Sequence, residues 1–320
     1  MSFERQEAAA CRIAKADALT IGNPRAELAH QTFDFMRAQR QQGSERGFRG
    51  FLIVGPTQSG KSKILRTYQE RANTAEALEA GRIPVLMVTL TANQTRKGLA
   101  QDILRAFEPF GYLAPWKSGS ETVLLDRVRA YMQARGVELL ILDEFQHLVH
   151  SERQEVSISV SETIKWLLIE SIVPVVMSGI EDAWRPVRAN AQLAHRCEAP
   201  LELNPLDPAN DADRGLFASF LSAYLVELEQ RKIAKNATRL LRIPQVPDGL
   251  FEVAKGVLGE TCNILKAALY LAVSSGRDEI GLEDLELAVD RNYVAYDRSR
   301  SNPFRAGLKF LSGRQVHEDA

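Results

Sequence analysis

The stretch FLIVGPTQSGKSKIL, residues 51 to 65, decides the fold. Four apolar residues, Phe51 to Val54, run straight into Gly55, and the eight residues from Gly55 to Ser62 fit G-x-x-x-x-G-K-[ST] without a mismatch. With glycine near ~7% of residues, the four fixed positions match by chance in roughly one chain of this length in a hundred. A buried-type strand precedes this loop and a helix-compatible run, KSKILRTYQERA, follows it, which is the setting the motif requires. The glycine-containing turn lets backbone N–H groups curl around phosphate oxygens, and the next helix presents its positive N-terminal end. The pattern therefore assigns Gly55, Pro56, Thr57, Gln58, Ser59, Gly60, Lys61 and Ser62 to a nucleotide. Lys61 would reach the β- and γ-phosphates and Ser62 would ligate Mg2+, so ATP and Mg2+ are the implied cofactors.

Outward from the loop, strand and helix patterns alternate. Strand 51 to 54 and helix 60 to 72 are followed by the strand PVLMVTL, two helices, the strand ELLILDE, the helix SETIKWLLIES, and the strands VPVVMSG and APLEL. Such alternation predicts an α/β fold, a parallel sheet flanked by helices. After NPLDPAND the pattern becomes helical without a convincing strand, so a small all-helical domain is expected, with IPQVPDGL breaking it in the middle. The expected boundaries are an N-terminal helical arm over 1–47, a core over 48–205, a helical lid over 206–295 and a basic C-terminal tail over 296–320. In the arm, Leu28, Phe33, Phe35 and Met36 are the expected apolar contacts.

About eighty residues after the loop, VELLILDEFQHL ends a hydrophobic strand in Asp143 and Glu144. Asp143 suits the metal shell, and Glu144 can orient and deprotonate a water aimed at the γ-phosphate. The strand PVLMVTL between the two motifs predicts that the P-loop and Asp-Glu strands are not sheet neighbours. The strand VPVVMSG ends near Ser178, which either lies between the γ-phosphate and water or caps the next helix. Arg196 sits just before the next strand, either as an ordinary helix C-terminal cation or as a finger into a neighbouring subunit's ATP site. Arg96 and Lys97, at a helix start after the second core strand, read by themselves as solvated charges on a surface loop, and as contacts to DNA phosphates only under the family resemblance given below. His147 and His150 are spaced i, i+3 with no evident third ligand, which disfavours a zinc site.

Composition sets the outer limits. The 320 residues are 45% hydrophobic, enough for an α/β domain with a smaller companion, and no disorder class fits. The longest apolar runs have strand length, and the opening MSFERQEAAACRIAKADALT is polar, so a cytoplasmic location without membrane contact is expected. Cys11, Cys197 and Cys262 are far apart and show no CxxC spacing, consistent with free thiols in a reducing compartment. A formal net charge of -1 argues against a globally basic nucleic-acid binder and leaves only local patches for DNA.

Taken together, GPTQSGKS, LLILDE, VVMSG, HRC before the fifth strand and the helical region after it resemble an AAA+ ATPase over roughly residues 50 to 290. In that likeness they stand as Walker A, Walker B, sensor 1, arginine finger and lid. Within AAA+, IGNPRAELAHQTFDFM, the lid segment LGETCNILKAALYLAVSSGRDEIGLEDLELAV and an NPF-containing basic tail resemble the TniB/TnsC group of transposition regulators. One departure is Cys262, standing about where many AAA+ lids carry a sensor-2 arginine, with Lys266 one turn later. The resemblance implies a homo-oligomer, ring or helical filament, that forms with ATP on double-stranded DNA. It also implies a link from target choice to a TniA/TnsB-like transposase and a TniQ-like targeting protein. The rival readings are a helicase-loader or insertion-sequence helper ATPase, a small-molecule kinase, and a nucleotide-gated module with negligible turnover.

Overall fold

Apolar runs without polar alternation are at home in strands covered on both faces, and the chain uses them that way. The strands are β1 (Gly50–Val54), β2 (Val85–Thr89), β3 (Leu139–Asp143), β4 (Val175–Gly179) and β5 (Leu201–Glu202), and β1, β3 and β4 are buried along their whole length. A computed structural model describes residues 3–43, 47–91, 95–148, 154–170 and 172–306. The strands form one parallel sheet in the order β2-β3-β4-β1-β5. The two motif strands are not neighbours, as the sequence predicts, but the strand between them is β4 and not PVLMVTL, which as β2 lies at the sheet edge beyond β3.

The helices are α1 (Phe3–Ala18), α2 (Pro24–Gln42), α3 (Lys61–Ala72), α4 (Ala75–Glu79), α5 (Arg96–Arg105), α6 (Glu121–Ala134), α7 (Gln154–Ile169), α8 (Trp184–Ala189), α9 (Ala191–Ala194), α10 (Asp211–Gln230), α11 (Gln245–Ala254), α12 (Leu258–Ser274), α13 (Leu282–Val289) and α14 (Pro303–Ala306). Two compact units result: residues 24–204, which hold the sheet, and the segments 1–23 and 205–320, whose described elements are helical.

In the sheet unit, strand alternation sorts the core into two layers. Leu52, Leu86, Leu140, Leu142, Val175 and Met177 face a layer completed by Leu99 and Ile103 of α5, Leu124 and Val128 of α6, and Leu167 of α7. Phe51, Ile53, Leu139, Ile141 and Val176 face the other, completed by Phe33 and Met36 of α2 and by Leu65 and Tyr68 of α3. Side-chain caps start several helices: Thr95 accepts from Gly98 N and Ser120 from Val123 N, satisfying N–H groups that have no intrahelical partner.

The residues expected as one arm do not form one unit. Helix α2 is part of the sheet unit, where Ala29, Phe33 and Met36, spaced i, i+4, i+7, are buried. Tyr68 Oη donates to Asp34 Oδ1 at 2.7 Å, and Arg37 pairs with Glu138 at 2.6 Å. Leu28 and Phe35, expected as contacts, lie off this face and are more than half exposed. Helix α1 instead buries Ala9 and Ala16 in the helical unit and contacts α12, and Arg12 pairs with Asp278. In the helical unit the break expected at IPQVPDGL falls at its first two residues: the 3-10 segment Ala237–Arg242 ends before Ile243, α11 begins at Gln245, and Pro247 sits in the first turn, where a missing N–H costs little. Of the expected basic tail, Arg298 pairs with Glu260 and Arg305 with Glu286 and Asp290, while Lys309 and Arg314 lie outside the described residues. No single helix among the described residues is long and apolar enough to cross a membrane.

Because Phe33 makes edge contacts with Phe51 and Tyr68, Phe33→Ala is expected to destabilise the sheet unit by about 3–5 kcal/mol. Chemical denaturation checks this. A detachable arm would tolerate the change without a shift of midpoint.

Candidate active site

The P-loop joins the C-terminal end of β1 to the N-terminus of α3, and its turn is built from left-handed residues. Gln58 has φ 65° and Gly60 has φ 94°, the second at the N-cap of α3. Glycine meets that demand at Gly60 without steric cost. Lys61 is only 8% exposed, and its Nζ donates to Gly55 O and Pro56 O, both at 2.8 Å. Burial pushes the Lys61 ammonium below its ordinary range, opposed by the Asp143 and Glu144 carboxylates.

The two motifs meet directly. Ser62 Oγ donates to Asp143 Oδ2 at 2.8 Å, across 81 residues of sequence. Asp143 is buried, and its Oδ1 accepts from Glu144 N at 3.0 Å. Sheet alternation explains the meeting: Asp143 follows Leu139 and Ile141 on the face that α3 covers. Ser178 follows Val176 on that same face, pairs in register with Ile53, and is fully buried with an Oγ that has no hydrogen-bond partner among the described residues. A buried hydroxyl without a partner is costly, so such a group marks a place where a further polar atom belongs. The hydroxyl of Ser62 and the carboxylate of Asp143 form a hard-oxygen pair that fits Mg2+, which commonly takes one or two protein oxygens and completes its shell with phosphate and water. Among the described residues no cluster of three or more His, Cys, Asp or Glu competes as a metal site, and His150 lies outside them.

Glu144 is positioned differently. Its φ of 59° is left-handed, a conformation that costs a residue with a side chain about 1–3 kcal/mol and persists only where neighbours enforce it. Its carboxylate accepts from Gln146 Nε2, a residue without a role in the sequence reading. The signal was present in DEFQ, but the second partner of Gln146 is Ile180 N, 34 residues away and invisible to local pattern.

Arg196 does not join this cluster. It follows the short α9, its carbonyl accepts from Gly50 N at 2.8 Å, and its guanidinium lies beside Gly47. Gly50 begins β1 whereas Gly55 follows its end, and five residues at ~3.3 Å each separate them by about 16 Å. Arg96 and Lys97 lie in the first turn of α5: Arg96 is half-buried with Nε 3.4 Å from Glu121 Oε1, and Lys97 is exposed. In the helical unit, Lys266 is paired with Asp17 at 2.6 Å, and burial pushes the Cys262 thiol up to about 12. The three cysteines are free thiols.

A model of the bacterial TniB protein family matches residues 16–205, more than half of the chain. Among curated proteins none matches. Solved structures do. The Aeropyrum pernix ORC2 protein in its ADPNP-ADP complexes is 16% identical, with 88% of this chain and 72% of that one covered and a TM-score of 0.62. The Aeropyrum pernix ORC1 protein in complex with DNA is 18% identical, with 85% and 66% covered and a TM-score of 0.56. Cdc6p from Pyrobaculum aerophilum is 14% identical, with 85% and 68% covered and a TM-score of 0.57. At these identities the likeness is one of fold, shared with the ORC and Cdc6 proteins.

If Lys61 holds phosphate, Lys61→Ala removes a charge-assisted contact of ~1.5–3 kcal/mol, so nucleotide affinity should fall by about ten- to a hundredfold. Calorimetric titration with ADP and an ATP analogue checks this. Unchanged affinity for both removes Lys61 from the site.

Proposed function

Because the chain belongs to the bacterial TniB family, we propose that it is an AAA+ ATPase that binds and hydrolyses ATP, assembles with itself on double-stranded DNA, and recruits a transposase to the target. The observation that carries the reading is the Ser62 to Asp143 hydrogen bond, which brings the phosphate-binding and carboxylate motifs to one point. The ADPNP and ADP of the ORC2 structure support nucleotide binding on this fold, and the DNA of the ORC1 structure supports a nucleic-acid partner. Partners of this kind imply a cytoplasmic location on DNA.

In this mechanism the P-loop amides and Lys61 bind the phosphates, and Ser62 with Asp143 would hold Mg2+. When bound, the ion draws charge from the phosphate oxygens. Glu144 orients the attacking water and takes its proton, and the Ser178 hydroxyl offers a polar contact beside them. Arg196 acts in trans. A side chain anchored at the far end of β1 cannot span about 16 Å to its own P-loop, so its charge serves a neighbouring subunit's phosphoryl group. ATP hydrolysis thereby becomes a property of the assembly. Exposed Lys97 contacts DNA phosphate, and Arg96 joins it once released from Glu121. The TniA/TnsB-like transposase and the TniQ-like targeting protein are the partners that the family reading supplies.

Two experiments test this. Arg196→Ala and Lys61→Ala should each hydrolyse ATP poorly, and a mixture of the two should regain activity, since one subunit offers an intact pocket and its neighbour the arginine. Mixed oligomers without recovery would return Arg196 to a structural role. Replacing Arg96 and Lys97 with alanine should weaken binding about equally for unrelated duplexes and reduce the slope of log affinity against log salt by about 0.9 per lost contact. An unchanged affinity and slope with ATP analogue bound would move the DNA contact elsewhere.

A further inference from the structure

Gln146 is the polar side chain of this site to which neither motif assigns a task. It stands on the 3-10 turn Phe145–Leu148 directly after Glu144, and only 5% of it is exposed. Its two amide ends are both engaged, and with different elements. Nε2 donates to the Glu144 carboxylate, while Oε1 accepts from Ile180 N at 3.2 Å, the first residue beyond β4. The carbonyl of that same peptide unit, Gly179 O, accepts from Gly55 N at 3.2 Å, at the first residue of the P-loop. A continuous chain of hydrogen bonds therefore runs from the P-loop through the end of β4 and the Gln146 amide to Glu144.

Gly179 makes room for this arrangement. A Cβ there would overlap Gln146 Oε1 and would stand 2.9 Å from Ala183 Cβ and 3.2 Å from Gln146 N. An added Cβ would therefore displace the Gln146 amide and crowd Ala183, so glycine at 179 and the path of the Gln146 side chain are linked. Gln146 also accompanies the strained backbone of Glu144, whose φ of 59° needs neighbours that enforce it.

We propose that Gln146 is a positioning residue for hydrolysis: its amide fixes the orientation of the Glu144 carboxylate and ties that orientation to the peptide between β4 and the P-loop. The proposal rests on the reading of Glu144 as the base. A hydrogen bond from a neutral amide to a carboxylate restrains its orientation, and a primary amide can donate from its nitrogen to Glu144 while its oxygen accepts from a backbone N–H. A shift of the P-loop relative to β4 then reaches the base directly, so that nucleotide occupancy and water activation are coupled through one side chain.

The test separates the donor from the acceptor. Gln146→Glu retains an oxygen for Ile180 N and, once ionised, has no proton to donate to Glu144, so it is assayed above the pH at which the two carboxyls share a proton, whereas Gln146→Met loses both at similar length. With ATP, Mg2+ and duplex DNA, both variants should lose about ten- to a hundredfold in kcat with KM and nucleotide affinity changed by less than about twofold. Gly179→Ala, which displaces the same amide from the other side, should reproduce that pattern. Combined with Glu144→Gln, which removes the carboxylate acting as base, Gln146→Glu should cause no further loss. The proposal is overturned if Gln146→Glu keeps the wild-type kcat, if it loses nucleotide affinity in parallel with kcat, or if its effect adds to that of Glu144→Gln. A wild-type protein that binds ATP but never turns it over overturns the hydrolytic reading itself, and this proposal with it.

Discussion

The insertion of β4 between β1 and β3 is the constraint on which the site depends. Because a parallel sheet places all strand ends of one kind along one edge, the P-loop after β1, Ser178 near the end of β4 and Asp143 at the end of β3 emerge side by side in spatial order. Had β1 and β3 been neighbours, no strand would separate phosphate loop and carboxylates. The intervening strand instead supplies a polar residue on the α3 side, Ser178, and a peptide on the other, Gly179 to Ile180, that contacts both flanking elements. Its burial on both faces, with Val175, Val176 and Met177 fully enclosed, makes that peptide a rigid reference point.

The same sheet explains why the arginine belongs to a different place. Arg196 is fixed to the beginning of β1 by the Gly50 amide, and Cys197 extends the contact as an isolated parallel bridge to Gly50. A parallel strand has a chemical end and an opposite end, and one chain can present the phosphate loop at the first and the arginine at the second. The proposed trans role of Arg196 requires self-association, in which each copy would offer both surfaces.

Much of this was legible in the sequence, for identifiable reasons. The strands were visible because fully buried parallel strands are uninterrupted apolar runs, as in LLILD and VVM. The P-loop was visible because its chemistry imposes residue types at fixed spacing. What escaped was tertiary. Nothing local in α2 says that Phe33 and Met36 meet the sheet while Leu28 and Phe35 face outward, since all four are apolar and only the packing partner chooses the face. Helix α1 was read together with α2, yet Asn23 and Pro24 divide them between units. Within IPQVPDGL the pattern does not say which proline marks the break: Pro244 caps α11, whereas Pro247 lies in its first turn. Gln146 is not legible locally because its meaning comes from Ile180, a distant backbone amide.

The central claim is that ATP organises copies of this chain on DNA so that Arg196 of one copy meets the nucleotide held by another. Electron microscopy of the protein with duplex DNA and a non-hydrolysable ATP analogue tests it most directly. The account predicts a ring or helical filament around the duplex in which Arg196 lies against the neighbouring subunit's nucleotide, and its loss when ADP replaces the analogue. Isolated single copies on DNA with the analogue bound, or an assembly that keeps Arg196 remote from every nucleotide, would contradict it.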